Sequence, residues 1–159
     1  ATIKSRPFWE IPSEEWDRVM AVNARGPFEC AKAIAPHLRR QRYGKIINIS
    51  STTAFKGVTG VMQYTASKGA ILAMTRVMAK ELGPDGICVN CIAPGLTPTE
   101  SVSANPDHKP KLDAAAESRA LKRNQTPEDL VGAIVFLASH ESDFITGQSI
   151  PVDGGVVLH

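Results

Sequence analysis

The sequence is poor in the residues that mark several special classes of protein. Only three of its 159 residues are cysteine, an odd number without the compact spacing of a disulfide framework. No apolar run approaches the roughly 20 residues of a membrane-spanning helix. Residues 1–12 carry Lys4, Arg6 and Glu10 where a signal peptide would have an apolar core. These absences favour a cytoplasmic protein, which is the location we expect.

Neither sign of charge dominates the chain. Lysine and arginine together number 18 and aspartate and glutamate 16, so the net charge is +2. A nucleic-acid-binding domain usually carries a basic excess, and an interaction tail usually shows a run of like charges. We therefore expect neither nucleic acid nor a membrane as a partner. The hydrophobic fraction of 43% is ordinary for a globular domain.

Motifs for phosphate and metal binding are also missing. The chain contains neither a G-x-G-x-x-G turn nor a Walker-type loop. Its four histidines are scattered without ligand spacing, so we expect no metal site. Cys88 and Cys91 formally spell C-x-x-C, but residues three apart on a strand point to opposite faces, which argues against a redox or metal pair.

Helical and strand-like segments alternate along the chain. We predict helices over 13–42, 62–82 and 112–121 and a fourth that begins after Thr126, with strands over 45–50, 87–93 and 149–152. Ser13 and Thr126 are the predicted N-caps. The first two strands are apolar on both faces, which is typical of buried parallel strands. The alternation predicts an α/β fold in three layers, with helices on both faces of a parallel sheet.

Three strands are too few for a complete doubly wound domain, which has about six. The sequence also starts without a strand, turn or cap before Pro7. We therefore expect residues 1–159 to be the C-terminal part of a single Rossmann-like domain, with the N-terminal strands absent.

The strongest chemical signal is the segment Tyr64-Thr-Ala-Ser-Lys68 in the second long helix. A spacing of four places Tyr64 and Lys68 on one helical face. An ammonium group beside a phenol stabilises the phenolate, so such a pair can donate or accept a proton near neutral pH. Taken alone, the pair favours the alternative of an ordinary exposed tyrosine and lysine.

Ser51 follows the first predicted strand at its carboxyl end, where open α/β sheets bind their ligands. Its hydroxyl could hold and polarise a carbonyl oxygen. The alternative is that Ser50 and Ser51 only end the strand and cap the loop.

Asn23 is an amide on an otherwise apolar helical stripe, so we expect it to be buried and hydrogen-bonded. Pro27, four residues later, has no N–H and leaves the Asn23 carbonyl without its helical partner. A freed carbonyl of this kind is a seat for an ordered water. The alternative is a kink that serves only helix packing.

Together these residues resemble the active-site pattern of the short-chain dehydrogenase/reductase family. The resemblance extends along the chain and is carried by Val-Asn-Ala-Arg-Gly-Pro-Phe at 22–28, Ile-Ile-Asn-Ile-Ser-Ser at 46–51, Asn-Cys-Ile-Ala-Pro-Gly at 90–95, and 145–155. In that family the glycine-rich cofactor turn lies before the segment that corresponds to the start of this chain. The resemblance therefore also implies a truncated domain.

The resemblance implies an NAD- or NADP-dependent oxidoreductase that moves a hydride between the nicotinamide and a carbonyl carbon. It assigns general acid/base catalysis to Tyr64, support of Tyr64 and ribose binding to Lys68, carbonyl orientation to Ser51, and a water on its main-chain carbonyl to Asn23. The residues that it implies in cofactor binding are Tyr64, Lys68, Pro94, Gly95, Thr97 and Thr99.

The resemblance also bears on substrate and assembly. Residues 96–121 correspond to the substrate loop of the family. The motifs are similar both to 3-oxoacyl carrier-protein reductases and to aryl-alcohol dehydrogenases, so the implied substrate is a secondary alcohol or ketone, or a primary alcohol or aldehyde. Family members pair through the two long helices, which implies a homotetramer or homodimer.

A hypothesis from another class is a non-catalytic scaffold or binding subunit of the same fold. The complete set of polar residues argues against it, because a scaffold needs none of them.

Overall fold

A computed structural model describes residues 3–98 and 109–158. In chain order its helices and strands are α1 (Ser13–Met20), α2 (Gly26–Gln41), β1 (Gly44–Ile49), α3 (Thr53–Lys56), α4 (Met62–Leu82), β2 (Ile87–Pro94), α5 (Lys109–Ser118), α6 (Glu128–Ala138) and β3 (Ser149–Val152). Short 3-10 turns occur at Phe8–Glu10, Gly83–Asp85 and His140–Ser142, and a π-helical turn, Ala21–Arg25, joins α1 to α2. Within these ranges no helix is long and apolar enough to cross a membrane.

The three strands form one parallel sheet in the order β1-β2-β3. Gly44 lies opposite Ile87, and Cys91 lies opposite Ser149. Parallel neighbours need crossover connections, which α4 supplies between β1 and β2 and α6 between β2 and β3. The predicted α/β fold with a parallel sheet is confirmed.

The two faces of β2 meet different parts of the chain. Residues on one face pack against α4, namely Ile87, Val89 and Cys91. On the other face, Cys88 Sγ lies 3.4 Å from the carbonyl oxygen of Asp143, and Asn90 Nδ2 donates to the carbonyl of Ile145 at 2.7 Å. The prediction that Cys88 and Cys91 point to opposite faces is confirmed.

The ends of several helices differ from the predictions. Ser13 is the first residue of α1 and not its N-cap, which is Pro12. At the start of α6 the N-cap is Pro127 and not Thr126, and the Asp129 carboxylate accepts a hydrogen bond from the main-chain N–H of Thr126 at 2.8 Å. The predicted helix 112–121 lies at Lys109–Ser118. The short helix α3 lies between the predicted strand 45–50 and the predicted helix 62–82 and was not itself predicted.

The predicted continuous helix 13–42 is interrupted by the π-helical turn. There the main-chain N–H of Gly26 donates to the carbonyl of Ala21, five residues back instead of four. Pro27 cannot donate at all, so the regular ladder cannot pass through this point. In contrast, α4 spans Met62–Leu82 as predicted and is followed by Gly83-Pro84.

Candidate active site

The predicted site residues on the sheet lie at one edge, beyond the carboxyl ends of β1 and β2. The N–H of Ser50 donates to the carbonyl of Ile92 at 2.9 Å, and that of Thr52 donates to the carbonyl of Pro94 at 3.1 Å. Ser51 is therefore held beside the end of β2. This juxtaposition follows from the parallel register, which brings equivalent strand ends to the same side of the sheet.

Tyr64 and Lys68 lie in the first two turns of α4 and face each other. The Lys68 Nζ is 5.7 Å from the centroid of the Tyr64 ring. The same ammonium donates to the carbonyl of Ile49, the last residue of β1, at 3.0 Å. Burial lowers the pKa of Lys68, because the surroundings disfavour its charged form. The pair is thus tied directly to the sheet edge.

Ser51 is buried, and its Oγ accepts a hydrogen bond from the main-chain N–H of Thr53 at 3.3 Å. The hydroxyl therefore does cap the loop, as the alternative hypothesis proposed. Accepting that bond leaves the hydroxyl proton free to point elsewhere, so capping does not prevent Ser51 from donating to a ligand. No hydrogen bond joins Ser51 to Tyr64 within the described part of the chain.

Ser50 has a structural role that the sequence did not reveal. It is buried, and its Oγ donates to the carbonyl of Lys68 at 2.8 Å. This bond fixes the second turn of α4 against the end of β1. The only signal was a second hydroxyl beside Ser51.

Asn23 is half-buried rather than buried, contrary to the prediction. Its Nδ2 donates to Ser67 Oγ at 3.1 Å, and Ser67 Oγ donates to the carbonyl of Tyr64 at 2.7 Å. Ser67 is fully buried and was missed by the sequence analysis. Its position three residues after Tyr64, on the flank of the same helix, was the available signal.

An open cleft contains both Asn23 and Lys68. Its walls also include Pro27 and the β1 residues Ile47 and Ile49. Asn23 of the π-helical turn and Lys68 of α4 thus line a common space that solvent can enter. The link from Lys68 through a water on the Asn23 carbonyl stays a prediction.

Pro94 is the last residue of β2, and Gly95 and Thr97 follow it in the turn. The N–H of Gly95 donates to the carbonyl of Val152 at 3.0 Å, and Thr97 Oγ1 donates to the carbonyl of Gly95 at 3.2 Å. A Cβ atom on Gly95 would lie 2.7 Å from Gln125 Oε1. Internal packing therefore requires glycine at 95, a reason that the sequence analysis did not give. Thr99 lies outside the described residues.

The described residues contain no group of three or more His, Cys, Asp or Glu side chains arranged to hold a metal ion.

Comparisons with known proteins identify relatives of this chain. A family model described as enoyl-(acyl carrier protein) reductase matches residues 1–157. The short-chain reductase protein NovJ of Streptomyces niveus is 43% identical over 157 residues, which cover 96% of this chain and 60% of that protein.

Two solved structures share the fold closely. A gluconate 5-dehydrogenase from Burkholderia cenocepacia, in complex with NADP and tartrate, superposes with a TM-score of 0.89 at 32% identity. The match covers 98% of this chain and 62% of that protein's chain. A 3-oxoacyl-[acyl-carrier protein] reductase from Brucella melitensis with bound NAD superposes with a TM-score of 0.86, also at 32% identity, covering 98% and 57%.

The chain therefore spans about three fifths of the length of the proteins that it matches. The match is nonetheless continuous over almost all of its own residues. This chain belongs to the short-chain dehydrogenase/reductase family.

Proposed function

We propose that the protein containing this chain is an NAD(P)-dependent oxidoreductase that interconverts a secondary alcohol and a ketone, or a primary alcohol and an aldehyde. The observation that carries the proposal is the placement of the Lys68 amine 5.7 Å from the Tyr64 ring at the sheet edge where Ser51 also lies. A phenol, an ammonium and a buried hydroxyl are the groups that carbonyl reduction needs.

The donor groups at this edge fit the nicotinamide end of a dinucleotide. Lys68 offers an ammonium suited to ribose hydroxyls, and Pro94 and Gly95 stand at the same edge of the sheet, where Thr52 is bonded to the Pro94 carbonyl. When bound, the nicotinamide supplies or accepts the hydride. The sequence has no glycine-rich phosphate turn, so the fit concerns this end of the cofactor only. The relatives with bound NAD and NADP support either dinucleotide.

In the direction of reduction, Ser51 donates a hydrogen bond to the substrate carbonyl oxygen and fixes its position. Tyr64 then transfers its phenolic proton to that oxygen as the carbonyl carbon receives the hydride, so the product is the neutral alcohol. The phenolate left on Tyr64 is stabilised by the Lys68 ammonium. A water on the Asn23 carbonyl returns a proton from solvent, and oxidation reverses these steps.

The substrate class rests on the relatives and on the motifs. One solved relative is a 3-oxoacyl-[acyl-carrier protein] reductase and another a gluconate 5-dehydrogenase. Both names denote chemistry between a hydroxyl group and a carbonyl. We propose a 3-oxoacyl-type ketone as the first substrate to test and an aryl alcohol as the second, with segment 96–121 as the substrate loop.

A homodimer or homotetramer in the cytoplasm completes the proposal. Large apolar side chains are exposed on α2, α4 and α6, including Phe28, Met62, Val77, Val131 and Val135. Apolar surface of this extent on helices is typical of a face that packs against another subunit.

The test of the proposed function is the variant Tyr64→Phe in the full-length protein. Loss of the proton donor should reduce turnover by about a hundredfold or more, because general acid catalysis contributes about that much. Nicotinamide absorbance with a ketone substrate measures it. The control is Tyr43→Phe, the other tyrosine of the chain, which contacts His140 and Asp143 at the opposite end of β1 and should leave turnover unchanged.

Retained turnover in Tyr64→Phe would remove Tyr64 from the mechanism. The competing hypothesis, a non-catalytic scaffold, expects no turnover by the wild type with any alcohol or ketone while the fold and its assembly persist.

A further inference from the structure

Arg119, the first residue after α5, is a buried cation with an unusual set of partners. Its side chain is only 2% exposed. A charged group so far from water is stable only when its donors are satisfied. Its described partners are all main-chain carbonyls: Nε donates to Asp153 at 3.0 Å, Nη2 to Leu96 at 2.8 Å and Nη1 to Arg123 at 3.3 Å.

The carboxylate of Asp153 is already engaged and does not replace these acceptors. Its oxygens accept hydrogen bonds from three successive main-chain N–H groups, those of Gly155, Val156 and Val157. Among the described residues the guanidinium therefore binds main-chain carbonyls only. Its five N–H donors lie in a rigid planar fork, so one side chain can donate to all three carbonyls.

The three carbonyls belong to three separate segments. Leu96 follows the Pro94-Gly95 turn, Asp153 follows β3, and Arg123 lies in the connection between α5 and α6. Leu96 and Arg119 also stand near the two ends of segment 96–121. One side chain thus ties Leu96 and the residue after α5 to the end of the sheet.

A second buried side chain braces the same turn. Gln125 is 4% exposed, and its Nε2 donates to the carbonyl of Val152 at 2.7 Å. That carbonyl also accepts the N–H of Gly95. The Gln125 Oε1 occupies the space where a Gly95 side chain would lie. Gln125 therefore packs against Gly95 in the turn, and Arg119 holds the carbonyl of Leu96, the residue that follows Gly95.

We infer that Arg119 is a positioning residue, which holds the turn Pro94–Gly95 and Thr97 in the place where the nicotinamide end of the cofactor binds. Its functional meaning rests on the proposed function; its effect on the turn does not. A lysine in its place keeps the charge but presents a single point of donation and cannot span the three carbonyls.

The experiment compares Arg119→Lys with wild type in the full-length protein. Hydrogen exchange at the Gly95 amide should accelerate at least about tenfold. The variant removes the bond that holds the neighbouring Leu96, so the turn opens more often. The KM for the nicotinamide dinucleotide should rise about tenfold while kcat stays within about twofold, since a misplaced turn weakens cofactor binding before it alters proton transfer. A merely structural residue would lower thermal stability without this split.

The matched control is Arg123→Lys, four residues later. The Arg123 side chain is exposed and pairs with Asp129 at 2.6 Å, so its replacement should change neither the exchange of Gly95 nor the KM.

The outcomes separate the inference from the proposed function. Unchanged Gly95 exchange in folded Arg119→Lys overturns the inference, and so does an unchanged cofactor KM. An inactive wild type overturns the proposed function, while the exchange measurement still decides what Arg119 does to the turn. If neither Arg119→Lys nor Arg119→Gln folds, Arg119 is required for the domain as a whole and the inference is wrong.

Discussion

Lys68 shows at the scale of a single residue how a site group is bound into the fold. Its amine is close to the Tyr64 ring and donates to the last carbonyl of β1. The environment that gives the amine this position also removes water from it, and the pKa of Lys68 falls as a result. The protein therefore carries a cost in stability for a group that the proposed chemistry requires.

The variant Lys68→Met measures that cost. Because burial lowers the pKa of Lys68, the unfolded chain binds more protons than the folded one between the lowered pKa and the ordinary value of 10.5. The free energy of unfolding of the wild type should therefore increase, relative to that of the variant, as the pH rises through that window. Urea unfolding of both proteins at neutral pH and at about pH 10 checks the direction.

Lys80→Met, a change at an exposed lysine of the same helix, is the control for this comparison. A difference between wild type and Lys68→Met that does not move with pH would contradict burial of the amine.

The π-helical turn Ala21–Arg25 is the element on which the helical side of the site depends. It presents the Asn23 amide to Ser67 of α4, and Asn23 and Lys68 line the same cleft. A regular helix would place a hydrogen bond on the Asn23 carbonyl. The departure from regular geometry is thus part of the proposed proton path.

Replacement of Pro27 by alanine restores the missing N–H and should let it compete for the Asn23 carbonyl. We expect turnover to fall about tenfold or more while thermal stability is kept or slightly raised, since the helix gains a bond. Kinetic assays and thermal unfolding of the full-length protein test this.

The control for this element is Pro36→Ala, at the exposed proline inside α2. It should raise stability without any effect on turnover. Equal turnover in the Pro27 and Pro36 variants would show that the π-helical turn does not take part in catalysis.

At the scale of the whole molecule, the described part is a three-stranded sheet with its site at one edge. Within the described residues β1 pairs only with β2. The matched relatives are longer than this chain, which covers about three fifths of them. The residues present supply the groups for the reacting end of a dinucleotide, and the sequence holds no glycine-rich turn for its phosphates.

The 159-residue chain by itself should therefore bind NAD or NADP at least about a hundredfold more weakly than the full-length protein. In such folds most of the phosphate contacts come from a glycine-rich turn at the N-terminus of a helix. Isothermal titration of both proteins measures the ratio. Comparable affinities would show that this chain contains a phosphate site of its own.

Local spacing in the sequence determined much of the protein. Four-residue spacing joined Tyr64 to Lys68, doubly apolar runs marked β1 and β2, and Pro27 marked the break in the first long helix. Each of these is a relation between residues within one element, where geometry follows from the helical or extended repeat. The N-cap predicted at Thr126 was wrong by one residue, because α6 begins at Glu128 with Pro127 as its N-cap.

Only the tertiary structure decided the contacts between elements. Asn23 meets Ser67 across 44 residues, Ser50 meets Lys68 across 18, and Arg119 meets Asp153 across 34. These contacts depend on how the helices pack on the sheet. No helical or extended repeat in the sequence indicates which distant hydroxyl, amide or guanidinium groups will meet. The sequence thus determined which groups the protein has for chemistry, and packing decided which groups hold them in place.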